Sequence, residues 1–361
     1  ARRRRAAAGP QFSDPPLARS RVPPARAALG LVGAERRWFS TPVPAALVKA
    51  LRDRTGASMG KCRDALAAEE GDVERAVEWL KKRGVRSMEK RTSEAAEALL
   101  ALHVMDDASM GAFVELRAET DFVTRNELFQ GLCVYLAGLA ARARPGASAD
   151  ELLGGAVGDG PGRPAQMSPS TELGPALMEF GSVLGERLVL ASAWSLVAPP
   201  GGVVGGYVHP KQADGLANTG RMAALVALQP SPASAPCDAD RLRALAATLS
   251  RHVVAAQPRF VAVADVPGEL LQKEREAIWA AHLSQMPPRK TGTVDDKVKA
   301  KILDGKTQKF YSEAVLLCQE LIASGAGGDA GPTPVAEWLA QEARAMGLEQ
   351  ISVTDFRFAS L

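Results

Sequence analysis

The sequence has few of the residues that carry covalent chemistry, and those it has are dispersed. Its four cysteines, Cys62, Cys133, Cys237 and Cys318, form no C-x-x-C pair and have no histidine at ligand spacing. That excludes a zinc motif and a disulfide framework, and free thiols fit a reducing compartment. His103, His209, His252 and His282 are equally scattered. No uninterrupted apolar run reaches the ~18 residues of a membrane helix. Leu128 to Ala143 comes nearest, and Arg142 interrupts it. The net charge is only +3, and much of it lies at the N-terminus, so the body of the chain lacks the basic surface of direct nucleic-acid binding. No Ser/His/Asp set or dinucleotide fingerprint is present. Gly56-Ala57-Ser58-Met59-Gly60-Lys61-Cys62 superficially suggests a phosphate loop, but it has three residues between its glycines and a cysteine after the lysine. The phosphate loop needs four, and a Ser or Thr for magnesium, so a helix–helix turn is the better reading. The expectation is a binder or regulator, not an enzyme, with no cofactor, no metal, no membrane and no direct nucleic-acid partner.

What is present is ordinary globular composition, 46% apolar and 24% charged over 361 residues, enough for about two or three domains. Residues 1–41 stand apart. Arginine recurs nine times there against two acids, Asp14 and Glu35. Such composition marks an organelle transit peptide, and Arg37-Trp38-Phe39-Ser40-Thr41 resembles a mitochondrial processing site. An RNA-binding arm has similar charge, but prolines among the arginines and the extreme N-terminal position favour the transit segment. The sequence opens on alanine, so an initiator methionine is expected upstream or removed.

Residues 43–84 read as three short helices, with Leu47 and Leu51 on the first, Met59, Cys62, Ala65 and Leu66 on the second, and Val73, Ala76, Val77 and Leu80 on the third. Gly84 is expected to close the third. A charged connector follows, and then two strands, Leu99 to Met105 and Gly111 to Ala118, at hairpin spacing. The second strand runs into Thr120-Asp121-Phe122-Val123, and a strongly apolar helix follows from Asn126 to Ala143. Taken alone, this tetrad reads as a helix cap with Phe122 in the core. The alternative is a strand–helix junction that presents an acid and an aromatic to a partner.

Gly146 to Ser170 is rich in Gly and Pro and reads as a mobile linker. Beyond it, strands are expected over Arg187–Val197, Val203–His209 and Gly220–Leu228, a helix over Asp238–Ala256, and two charged helices over Glu269–Leu283 and Thr293–Tyr311 around Pro287-Pro288. Ser324 to Pro332 is a loop, Val335 to Met346 a helix and Ile351 to Phe358 a closing strand. The fold class is α+β. The domain reading is 1–41 transit segment, 43–84 helical bundle, 85–183 connector and first core subdomain, and 184–361 second core subdomain with a helical hairpin at about 269–311.

This order resembles the elongation factor Ts family. Leu47-Val48-Lys49-Ala50-Leu51-Arg52-Asp53-Arg54-Thr55-Gly56-Ala57 is similar to the family's opening helix and turn. Gly71-Asp72-Val73-Glu74-Arg75-Ala76-Val77-Glu78-Trp79-Leu80 is similar to its third helix, and Glu119-Thr120-Asp121-Phe122-Val123-Thr124-Arg125-Asn126 is the most specific match. Gly206-Tyr207-Val208-His209, Gly220-Arg221 and Lys306 to Leu317 extend it, so it covers about Val43 to Phe358. The chain departs at Arg117-Ala118, where the family usually has Asn and a small residue, and at Glu320-Leu321-Ile322, where it usually has Pro-Phe and a short turn. The resemblance implies a UBA-like bundle and two core subdomains with antiparallel sheets. It also implies guanine-nucleotide exchange on elongation factor Tu, in the mitochondrion before the plastid. Thr120, Asp121, Phe122 and Val123 would bind the partner and dislodge its magnesium, and Arg125, Asn126 and His209 would add contacts. A ubiquitin-binding adaptor is the alternative that the bundle leaves open.

Overall fold

The computed structural model describes residues 43–361 apart from 159, 161, 168, 170, 210–214, 235–236, 286–294 and 323–332. The arginine-rich segment 1–41, the Pro287-Pro288 break and the 324–332 loop lie outside the described residues.

The N-terminal part is three helices, α1 (Ala45–Thr55), α2 (Met59–Ala68) and α3 (Val73–Glu89). Ser58 and Asp72 cap α2 and α3 by accepting the Lys61 and Arg75 amides at 3.4 and 3.0 Å. Their shared core is small: Val48, Leu51, Cys62, Ala65, Leu66 and Ala76. Gly84 does not end α3, as its residue type suggests. The helix runs through it to Glu89, because Gly84 is where α3 meets α7 (Leu173–Leu184). A Cβ at residue 84 would stand 2.3 Å from Ser182 Oγ and 2.7 Å from Ser182 Cβ. Close helix approach, rather than chain reversal, accounts for the glycine.

Alternation along the strands builds the core in layers. β1 (Glu97–Val104) and β2 (Met110–Ala118) pair antiparallel, from Glu97 opposite Ala118 to Val104 opposite Gly111. β3 (Val189–Val197) pairs with β2, although it lies beyond residue 184, and places Trp194 opposite Phe113 with ring centroids 4.8 Å apart. The second sheet has the order β4 (Val203–His209), β6 (Met222–Ser231), β7 (Gln350–Ser360), and the short β5 (Thr219–Gly220) joins the free edge of β1. Successive residues point to opposite faces. Leu99, Ala101, Val114 and Leu116 therefore pack on α5 (Glu127–Arg142), while Leu100, Leu102 and Phe113 face Val204, Val208 and Leu225 of the second sheet. Ala224, Val226 and Leu228 pack outward on α8 (Ala239–Ala256) and α11 (Val335–Ala345). The order of layers is helix, sheet, sheet, helix, an α+β architecture with antiparallel sheets.

The 146–170 stretch is packed over much of its described length. Ser148 and Glu151 form a capping box on α6 (Ala149–Leu153), and Leu152, Val157 and Met167 are buried in the α5 core. α9 (Gly268–Ser284) and α10 (Asp296–Ala314) form the charged helical pair. Arg275 Nη2 lies 3.0 Å from Asp304 Oδ1, and Lys299 Nζ lies 5.1 Å from the Trp279 ring centroid. No helix among the described residues is long and apolar enough to cross a membrane.

Candidate functional site

The tetrad lies where β2 gives way to α5. Asp121–Thr124 form a single helical turn, α4, and Arg125 and Asn126 lead into α5. Thr120 occupies the cap position of α4, but its hydroxyl makes no cap bond to that turn. Asn126 caps α5, its Oδ1 accepting the Leu128 amide at 2.8 Å. The capping part of the simple reading therefore belongs to Asn126.

Phe122 is 80% exposed, so it is not a core residue. That is rare for a phenylalanine on a well-packed scaffold, where burial would contribute about 1.5–3 kcal/mol. Val123, the next residue, packs against the α5 core and fixes the turn from beneath. Asp121 pairs with Arg125 one turn on, Oδ2 to Nη2 at 3.0 Å, with both side chains substantially in solvent. The Thr124 hydroxyl donates to the Asp121 carbonyl at 2.9 Å. α4 is thus a short, internally bonded tip with an aromatic at its apex and an acid beside it.

Two groups brace the tip, the buried Gln130 and the half-buried Glu186. The Gln130 amide donates from Nε2 to the Thr124 carbonyl at 3.3 Å and accepts the Leu216 amide on Oε1 at 2.8 Å. It joins the end of α4 to the loop before β5. On the other side, Glu186 accepts the Glu119 and Thr120 amides on one oxygen, at 3.1 and 3.0 Å, and the Thr120 hydroxyl on the other. Glu119 is itself held. Its Oε2 accepts Arg91 Nη2 at 3.0 Å and its Oε1 accepts the Arg187 amide at 2.8 Å. Burial alone pushes the Glu119 carboxyl up, but the Arg187 amide and the Arg91 guanidinium outweigh it and hold it below the usual carboxylate range. Arg91 also donates to the Gly185 carbonyl.

The structure thus brings Thr120, Asp121, Phe122, Val123, Arg125 and Asn126 together on one tip. His209 is elsewhere, exposed at the end of β4 in the second sheet, with Nδ1 3.2 Å from the Tyr207 hydroxyl. Sequence reasoning missed Arg91, Gln130 and Glu186, which lie near the tip only through the fold. It also missed Leu128 and Leu216, each about two-fifths exposed; a charge-rimmed apolar residue at a helix start was the only signal for the former.

The chain as a whole is similar to known proteins. The family model described as Elongation factor TS matches residues 119–326, beginning one residue before the tetrad. The Elongation factor Ts of Ehrlichia canis is 33% identical over 276 residues, covering 76% of this chain and 86% of that protein. Those of Maricaulis maris and Orientia tsutsugamushi are 36% and 32% identical, over 78% and 86% of this chain and 81% and 89% of theirs.

Proposed function

The chain belongs to the elongation factor Ts family, and from that premise we propose that it releases GDP from elongation factor Tu by inserting the Phe122 tip beside the partner's magnesium site. It acts in translation elongation as a nucleotide exchange factor, without covalent chemistry, and the adaptor alternative is not favoured. The observation that carries the insertion reading is the 80% exposure of Phe122 on a turn whose neighbours are bonded and packed.

A GTPase holds GDP through a phosphate cradle and a magnesium ion bridging phosphate oxygens. Magnesium demands near-ideal octahedral ligation, so a small displacement of its support weakens it sharply. Phe122 is the wedge, filling an apolar pocket of the partner. Asp121 holds the insertion in register and brings negative charge toward the metal and phosphates. Thr120 and Val123 aim both. Arg125 and Asn126 supply flanking contacts, and His209 a separate contact from the end of β4. Linkage makes the effect reciprocal, since the factor by which the protein weakens nucleotide binding is the factor by which nucleotide weakens its own.

The remaining assignments belong to the same reading. Residues 1–41 are a transit segment, and the protein works in the mitochondrial matrix; the relatives are bacterial, in keeping with an organelle of bacterial descent. Helices α1–α3 are a UBA-like docking module on the partner, followed by two core subdomains, 85–183 and 184–361.

Fluorescent GDP release from elongation factor Tu tests the wedge. A buried aromatic anchor contributes about 2 kcal/mol or more to an interface, and about 1.4 kcal/mol is tenfold. Phe122→Ala is expected to slow release at least about tenfold while its circular dichroism stays unchanged. Release at the wild-type rate from a folded Phe122→Ala protein defeats the reading.

A further inference from the structure

We infer that Glu186 is a positioning residue for exchange, a clamp that sets the angle at which the Thr120–Val123 tip leaves the sheet. The inference rests on the reading of that tip as the exchange wedge. Glu186 is in the turn after α7, 66 residues from Thr120, and touches the tip through one carboxylate. That carboxylate accepts two successive backbone amides, of Glu119 and Thr120, and the Thr120 hydroxyl. Three bonds to one group, two on one oxygen and one on the other, hold both the strand end and the residue that leads into the turn. The Thr120 hydroxyl ordinarily caps a helix from this position, yet here it is diverted to Glu186, and α4 has no side-chain cap.

The clamp is itself immobilised. The Glu186 amide donates back to the Gly181 carbonyl at 3.1 Å, closing the end of α7. A Cβ at residue 181 would lie 2.7 Å from the Glu186 carbonyl oxygen, so glycine there lets the turn fold tightly against the helix. Arg91, just beyond α3, ties the arrangement to the N-terminal helices by donating to the Gly185 carbonyl and pairing with Glu119. An exposed single turn carrying a phenylalanine would otherwise sample several orientations, and insertion into a partner needs one. Orientation errors of about 1 Å can cost on the order of a hundredfold in a positioned step.

The experiment titrates each full-length variant against elongation factor Tu loaded with fluorescent GDP and separates the maximal release rate from the half-saturating concentration. A misaimed wedge that still docks through other surfaces loses rate more than affinity. Glu186→Ala is expected to lower the maximal rate about tenfold while the half-saturating concentration moves less than about threefold. Glu186→Gln keeps an oxygen for both amides and a polar atom for the hydroxyl, so it is expected to restore most of the rate. Thr120→Val is expected to lower the rate and Thr120→Ser to restore it. Should Glu186→Ala fail to fold, the Thr120 pair decides alone. A wild-type maximal rate in folded Glu186→Ala or in Thr120→Val overturns the inference, as does Glu186→Gln behaving like Glu186→Ala. Phe122→Ala is run beside them. If it is also fully active, the wedge reading has failed; if it alone is slow, only the clamp has.

Discussion

Helices α5 and α9 are nearly equal in length, 16 and 17 residues, and opposite in what they bury: ten residues of α5 are enclosed and none of α9 is. α5 lies on a sheet face and makes the centre of one core, with Phe129, Leu132 and Leu136 inaccessible. α9 meets α10 through Arg275–Asp304 and Trp279–Lys299, contacts that remain wet. The hairpin is tied down at its base, where the Arg259 and Phe260 amides donate to the Ala314 carbonyl at 2.8 and 3.1 Å and Gln319 Nε2 donates to the Glu313 carbonyl at 2.7 Å. One chain thus offers two kinds of surface. A group at the start of a buried helix is held in one register, which suits insertion. A solvated arm fixed at one end can adapt its angle, which suits a secondary hold.

The sharpest way to break this contrast is to remove a phenylalanine from each side of the Asn126 cap. Phe129→Ala empties a fully buried site on α5 and is expected to cost about 3–5 kcal/mol in guanidinium unfolding. Phe122→Ala, seven residues earlier, is expected to stay within about 0.5 kcal/mol of wild type in the same assay. Equal losses would erase the distinction between tip and core.

Replacing about 269–311 with a short turn asks whether the arm is a hold at all. The shortened protein is expected to keep a cooperative melt but to bind elongation factor Tu about tenfold more weakly. Unaltered affinity and exchange would make the hairpin a brace.

A subtler effect is expected at the hairpin's base. His252 is fully buried on α8; its Nδ1 accepts the Ile322 amide at 3.2 Å, so Nε2 carries the hydrogen donated to Gln319 Oε1 at 3.0 Å. Burial pushes its pKa down, with the Gln319 bond opposing. The unfolded chain then takes the proton first as pH drops below about 6.5. Stability is complete above that value and is lost as pH falls through the depressed native one. Urea midpoints at pH 7.5 and 5.5 should therefore differ more for wild type than for His252→Gln; identical slopes would place the buried ring outside the acid response.

The smallest change is on the arm's surface. Arg275→Ala removes an exposed pair and is expected to shift unfolding by no more than about 0.5 kcal/mol. A loss comparable with Phe129→Ala would mean the hairpin has a core of its own.

Short, near-continuous apolar runs made β1, β2, β4 and β6 legible, because both faces of each sheet are buried and each demands its own set of apolar residues. The 3–4 spacing of Leu242, Leu245, Leu249 and Val253 likewise announced α8. α7 was not foreseen, since Pro175, Gly174 and Gly181 mask its apolar stripe of Leu173, Ala176, Leu177 and Phe180. The tetrad itself was visible as a junction, and its resemblance pointed to a partner, but only the fold shows Phe122 in solvent. The Glu186 and Arg91 contacts were illegible for a different reason. They pair groups 66 and 28 residues apart, and no local pattern encodes which distant carboxylate meets which amide.

Gly84 gives α3 an inverted relation between local and global preference. In most helix interiors alanine is favoured over glycine by about 1 kcal/mol. At residue 84 the same methyl would strike Ser182. A substitution that makes α3 a better isolated helix would thus prise it from α7, leaving a stiffer lever with a poorer fulcrum. Stabilising the segment by helix propensity alone would weaken its mounting, and the weakest helix former in α3 is the one that seats it.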